Sequence, residues 1–113
     1  MKTIDWNAIV KDVEAQVIAL AEEILKGYVG QAKLDAANFL QNSKVSLQKW
    51  ATMLATGMID KDEFQSLVKG QLDVAELHAL KQAGLAKIRI DQFVSGVVRI
   101  LTSVVMSAAK SLL

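Results

Sequence analysis

A chain of 113 residues with 13 basic and 12 acidic side chains has a net charge of +1, too balanced for electrostatically driven nucleic-acid binding. It has no cysteine, so no disulfide framework or thiolate metal site. It has no proline, the usual punctuation of turns, and this points to helices throughout. The length suits a single helical domain, 1–113, with its own core. Met1 to Trp6 carries Asp5 and lacks the basic-then-apolar pattern of a signal peptide. These features predict a cytoplasmic protein, with a position peripheral to a membrane as the alternative.

The first arm, 5–55, is helical in pattern. Trp6, Val10, Val13, Val17, Leu20, Ile24, Tyr28, Ala32, Ala36, Phe39, Ser43, Leu47, Trp50 and Leu54 follow one another at spacings of three and four. Within this series Trp6, Tyr28, Phe39 and Trp50 are separated by 22, 11 and 11 residues, with Val17 filling the gap. Eleven residues make almost three helical turns, so these side chains form nearly one line, an apolar seam that needs a partner. The period resembles that of exchangeable apolipoproteins, in period alone, since their proline punctuation is absent. Continuous, the arm would be about 75 Å long. Gly27 and Gly30 flank Tyr28-Val29 near its middle, and each costs roughly 1 kcal/mol relative to alanine inside a helix. The unbroken phase across them predicts a kinked but continuous helix.

The run Leu54-Ala55-Thr56-Gly57-Met58-Ile59-Asp60-Lys61-Asp62-Glu63-Phe64 carries the sharpest local signal. Gly57 suits the left-handed position that ends a helix. Asp60 and Glu63 have the spacing of a capping box, with Ile59 and Phe64 at the two positions of a hydrophobic staple. Asp62 and Glu63 sit where the helix dipole favours negative charge. With Leu67, Lys69 and Leu72, this stretch (54–72) resembles the short C-terminal (SHOCT) domain, a pair of short helices around a glycine and an acidic-acidic-aromatic run. The resemblance implies a helical pair serving oligomerisation or protein–protein contact. It departs from the family in lying mid-chain and in having Asp60 where serine or threonine is usual.

The second arm, 61–112, continues through Phe64, Leu67, Val68, Leu72, Ala75, His78 or Ala79, and Ala83, with Gly70 inside it and Gly84 as a stop. Lys87-Ile88-Arg89-Ile90 reads as a linker or helix start. Asp91 is placed to cap a last helix bearing Phe93, Val97, Ile100, Leu101, Val104, Val105, Ala108 and Leu112. The arms are nearly equal, and folding about position 58 sets residue i opposite 116 − i. Gly27 then faces Arg89, so both arms are weak at one level. The expected fold is all-α: a long helical hairpin, kinked or broken near Gly27/Gly30 and Gly84. It forms a four-helix bundle either alone or as a dimer of extended hairpins.

Chemistry-bearing constellations are scarce. His78 is the only histidine. The positions three and four residues away hold Val74, Ala75, Lys81 and Gln82, which offer no metal ligand. The pairs Glu22-Glu23 and Asp73/Glu76 read as solvated faces, and Asp60, Asp62 and Glu63 are explained by capping. No catalytic residue, metal or cofactor is assigned, and an enzyme is not expected. Met53, Met58 and Met106 suit either an adaptable surface or the core. Trp6, Val17, Tyr28, Phe39 and Trp50, with Phe64, Leu67, Phe93, Val97, Ile100 and Val104, are the residues expected in a core or interface.

From Lys81 onward there are five basic groups against Asp91 alone, and Phe93 to Leu113 is about the length of a membrane span. The composition therefore supports two functions. The first is a non-catalytic interaction or oligomerisation protein, partnered by a second copy or another helical protein. The alternative is an amphipathic lipid-binding protein acting through its C-terminal helix, with Lys87, Arg89, Arg99 and Lys110 at a membrane surface. A small-molecule binder with a cavity between helices ranks third.

Overall fold

A computed structural model describes residues 5–75 and 77–110. The described residues form six helices: α1 (Trp6–Ile24), α2 (Val29–Asn42), α3 (Lys44–Ala55), α4 (Lys61–Ala75), α5 (His78–Gln82) and α6 (Lys87–Lys110). Among the described residues there is no strand.

The first helix starts where Asp5 Oδ1 accepts a hydrogen bond from the Ala8 N–H at 3.2 Å, an N-cap that satisfies one otherwise orphaned donor. It does not run on through the glycines. The expected kinked, continuous helix is replaced by a break over residues 25–28, with Gly27 at φ 90°. The Leu25 N–H closes the last turn on the Ala21 carbonyl, and the Tyr28 N–H donates to the Leu25 carbonyl, both at 2.8 Å. Gly30 lies inside α2 and takes no part in the break. The physical reason is packing. Once broken, α2 folds back against α1, so the two halves of the apolar seam lie within one body. A straight rod would have left both halves in water. α2 then passes into α3 through Ser43 alone.

The middle junction is built from local chemistry. At the end of α3 the Gly57 N–H donates to the Leu54 carbonyl at 3.2 Å and the Met58 N–H to the Met53 carbonyl at 2.8 Å. Gly57 has φ 79°, so this is a Schellman ending. The Glu63 N–H donates to Asp60 Oδ1 at 2.8 Å, and the Asp60 N–H donates to Glu63 Oε1 at 3.2 Å. This reciprocal capping box opens α4. Ile59 and Phe64 on either side of it are buried.

The second arm differs from expectation in two places. The helix does not continue to Ala83: α4 ends at Ala75 and a separate short α5 begins at His78. Gly70, inside α4, does not interrupt it. Asp91 is not the cap of the last helix, because α6 begins four residues earlier, at Lys87, with the Ile90 N–H donating to the Ala86 carbonyl at 3.1 Å. Gly84, at φ 84°, ends α5 with a second Schellman pair: Gly84 N–H to the Lys81 carbonyl and Leu85 N–H to the Leu80 carbonyl, at 3.0 and 3.2 Å.

α6 is the central element. It packs on α1, α3 and α4, while α1 also packs on α2, α3 on α4, and α2 on α5. Gly96 of α6 lies against Leu20 of α1. It is buried, and a Cβ there would run into a terminal methyl of Leu20. The body measures 45 × 22 × 21 Å, far shorter than arms of about 75 Å require. The extended form of the hairpin is therefore not the one adopted by the chain. The buried apolar side chains make one contiguous cluster drawn from all six helices.

Candidate functional site

The residues expected in a core or interface fall into the core. Trp6, Val17, Phe39, Phe64, Phe93, Val97 and Val104 are buried, and Tyr28, Trp50, Leu67 and Ile100 are half-buried against the same cluster. Of the methionines, Met53 packs against that cluster, Met106 is half-buried and Met58 is exposed. The seam is thus internal. A different set of large apolar residues reaches the surface: Leu34, Val45, Val74 and Ile88, with Met58.

Two of these exposed residues, Leu34 and Val74, line the same cleft. It lies between α2, the end of α4 and α5, and encloses about 370 Å³. Leu34, Asn38 and Asn42 come from α2, Gln71 and Val74 from α4, and His78 and Gln82 from α5. Leu34 is 54% and Val74 76% exposed. Phe39 and Leu77, both buried, also line the cleft.

Asp35 holds this cleft together. It is 5% exposed, on the inward side of α2. Its Oδ1 accepts from the Ala79 N–H at 3.0 Å and its Oδ2 from the Leu80 N–H at 2.9 Å. The residue at the N-cap of α5 is Leu77, which has no side-chain acceptor. A carboxylate from another helix therefore supplies the cap, and its negative charge suits the positive end of the helix dipole. This cap explains why a separate helix begins at His78. Nearby, Gln71 Nε2 donates to Ser43 Oγ at 3.3 Å, tying α4 to the α2–α3 junction.

With Asp35 engaged, the rest of the lining has no carboxylate, lysine or arginine among the described residues. His78 is exposed, and among the described residues no group of three or more His, Asp or Glu side chains could hold a metal ion. The cleft therefore presents aliphatic carbon, side-chain amides and the His78 imidazole, which suit contact with another surface.

The four basic residues expected at a membrane surface do not converge. The Arg89 guanidinium turns inward: Nη2 donates to the Ile24 carbonyl at 2.7 Å, and the group sits 5.8 Å from the centre of the Tyr28 ring. It thereby closes the C-terminal end of α1, where a cation is favoured by the dipole. Lys87 borders a separate hollow of about 410 Å³ with Leu72, Leu77, Leu85, Ile90 and Val94. Arg99 and Lys110 line a groove between α4 and α6. By length and composition α6 could cross a membrane, but 56% of its most apolar stretch is buried within the protein.

Sequence reasoning passed over Leu34, Val74 and Asp35. For two of them a signal was present. Leu34 is an aliphatic residue off the apolar phase of its arm, between Lys33 and Asp35. Asp35 is a carboxylate beside that phase, three residues after Ala32 and four before Phe39. An acid on an apolar face is informative because burial requires partners. No protein family, curated protein or solved structure matches this chain.

Proposed function

We propose that this chain is a non-catalytic, self-associating helical protein, whose contact face is the cleft between α2, α4 and α5. In this reading its helices act as four rods, α1, α2–α3, α4–α5 and α6, forming a bundle within one chain. The dimer joins two such bundles and leaves both seams intact. The observation that carries it is the pair Leu34 and Val74, both more than half exposed on one cleft, whose described lining has no lysine, arginine or carboxylate besides Asp35. Isolated exposed aliphatics are ordinary, whereas aliphatics grouped on one concave face mark contact sites.

The chemistry of the rim favours a second copy as occupant. A twofold contact places each patch against itself, so like charges there would repel. Asn38, Asn42 and Gln82 carry both donors and acceptors and can pair with their own copies. The resemblance of residues 54–72 to the SHOCT helical pair points the same way.

The test is the oligomeric state of the wild type and of Leu34→Asp/Val74→Asp by sedimentation velocity. The expected result is a dimer that becomes a monomer in the double variant, with little change in melting temperature, because neither side chain belongs to the core. A wild type that stays monomeric at its highest soluble concentration overturns the reading. A monomer that gains helicity on anionic vesicles replaces it with the lipid-binding alternative.

A further inference from the structure

The groove between α4 and α6 lies apart from the proposed contact face and has a different character. Two adjoining hollows, of about 390 and 290 Å³, follow it. The larger is lined by Lys61, Gln65, Arg99, Ser103, Ser107 and Lys110, together with Thr102 and Met106. Gln65 and Arg99 border both hollows, and Lys69 and Ser95 extend the smaller one. On α4 the order Lys69, Gln65, Lys61 thus runs beside Ser95, Arg99, Ser103 on α6, as expected for antiparallel neighbours. Lys61 and Arg99 face the groove from opposite walls about one helical turn apart. Lys110 follows Arg99 by eleven residues on the same face of α6.

In a chain of 13 basic and 12 acidic residues, this segregation is notable: among the described residues no carboxylate lines either hollow. Lys69 is paired with Asp73 at 3.1 Å, but among the described residues Lys61, Arg99 and Lys110 form no ion pair. The acids next to Lys61 are accounted for. Asp60 and Glu63 are joined in the capping box, and Asp62 lies outside the groove lining. The exposed hydroxyls of Ser103 and Ser107 add neutral donors between the cations. Thr102 adds none, because its hydroxyl donates to the Val98 carbonyl at 2.8 Å.

We infer that this groove binds a phosphoryl anion, held by Arg99 and Lys61 from opposite walls with Ser103 between them and Lys110 beyond. A guanidinium fork matches two phosphoryl oxygens, and a lysine adds a point charge with rotatable donors. The apolar face of α6 stays inside the protein, so binding requires no opening of the helices. The phosphoryl group has two possible sources, a soluble phosphate compound or a phospholipid headgroup, with the same chemistry.

The experiment titrates the full chain with inorganic pyrophosphate, and separately with phosphatidylcholine vesicles containing phosphatidylglycerol. It follows backbone amide shifts in the first arm and co-sedimentation in the second. Arg99→Gln and Lys61→Gln are compared with Lys81→Gln, a lysine outside the groove whose loss changes net charge equally. The expected result is shifts grouped at Lys61, Gln65, Arg99, Ser103 and Ser107, or vesicle binding. Half-saturation should rise about tenfold in either groove variant, as when one charge-assisted contact is lost, and stay unchanged in Lys81→Gln. Response to pyrophosphate assigns a soluble phosphate, and response to vesicles alone assigns a headgroup. No response in either arm, shifts lying elsewhere, or equal weakening in all three variants overturns the inference. Leu34→Asp/Val74→Asp should bind as the wild type does, so failure of the contact face leaves this test intact.

Discussion

Asp35 joins two parts of the chain that are far apart in sequence. Its two oxygens hold the Ala79 and Leu80 N–H groups, and among the described residues α5 has no other side-chain cap. Removing the acceptor leaves two donors of a partly buried helix end without partners, which costs about 2 kcal/mol. Asp35→Ala should therefore lower the free energy of unfolding by about that amount. Asp35→Asn keeps one carbonyl acceptor and should lose roughly half as much. Urea denaturation gives the totals, and amide exchange at Ala79 and Leu80 should quicken first. A loss confined to global unfolding, with no local change there, would mean the cap is not what holds α5.

Two glycines of this chain have opposite roles, one ending a helix and one inside a helix. Gly57 sits at φ 79° in the Schellman turn, where a Cβ is penalised whatever the space around it. Gly70 lies in the exposed interior of α4, where a Cβ would meet nothing within 4 Å. Alanine should therefore act with opposite signs at these two sites. Gly57→Ala should destabilise by about 1 kcal/mol, and Gly70→Ala should stabilise by up to about 1 kcal/mol. In a domain of this size each corresponds to a shift of roughly 4 °C in melting temperature. Two shifts of the same sign in calorimetry would contradict the assignment of Gly57 as a turn and Gly70 as a helix residue.

At the scale of the whole molecule, core and surface separate into two aromatic and aliphatic sets with different mutational signatures. Phe39 is 3% exposed and Phe64 is fully buried. Phe39→Asp places a carboxylate in the central cluster with no partner and should unfold the chain, abolishing the cooperative melt. Phe64→Ala should cost about 3–5 kcal/mol through lost contacts and a cavity. The Leu34→Asp/Val74→Asp variant should keep the melt and change only the mass. Circular dichroism with sedimentation separates the two patterns. A folded, monomeric Phe39→Asp would place that aromatic in an interface instead of the core.

The all-helical class, and the junctions whose chemistry is local, follow from the order of residues alone. Gly57, Asp60 and Glu63 act within about six residues of one another, so their hydrogen bonds follow from spacing alone, as does the stop at Gly84. The inward stripe of Val17, Phe39, Phe64 and Phe93 was equally legible, because helical periodicity fixes which side chains share a face. The remaining features depend on how the helices pack. Whether the first arm kinks or breaks near Gly27 depends on the gain when α2 packs back on α1, and no pattern within the arm contains that term. The break before His78 depends on Asp35, more than forty residues upstream. Burial of Gly96 depends on Leu20, and the inward turn of Arg89 depends on the Ile24 carbonyl. The cleft and the basic groove belong to this second class. Each is assembled from helices distant in sequence, and only their packing brings Leu34 to Val74, or Lys61 to Arg99.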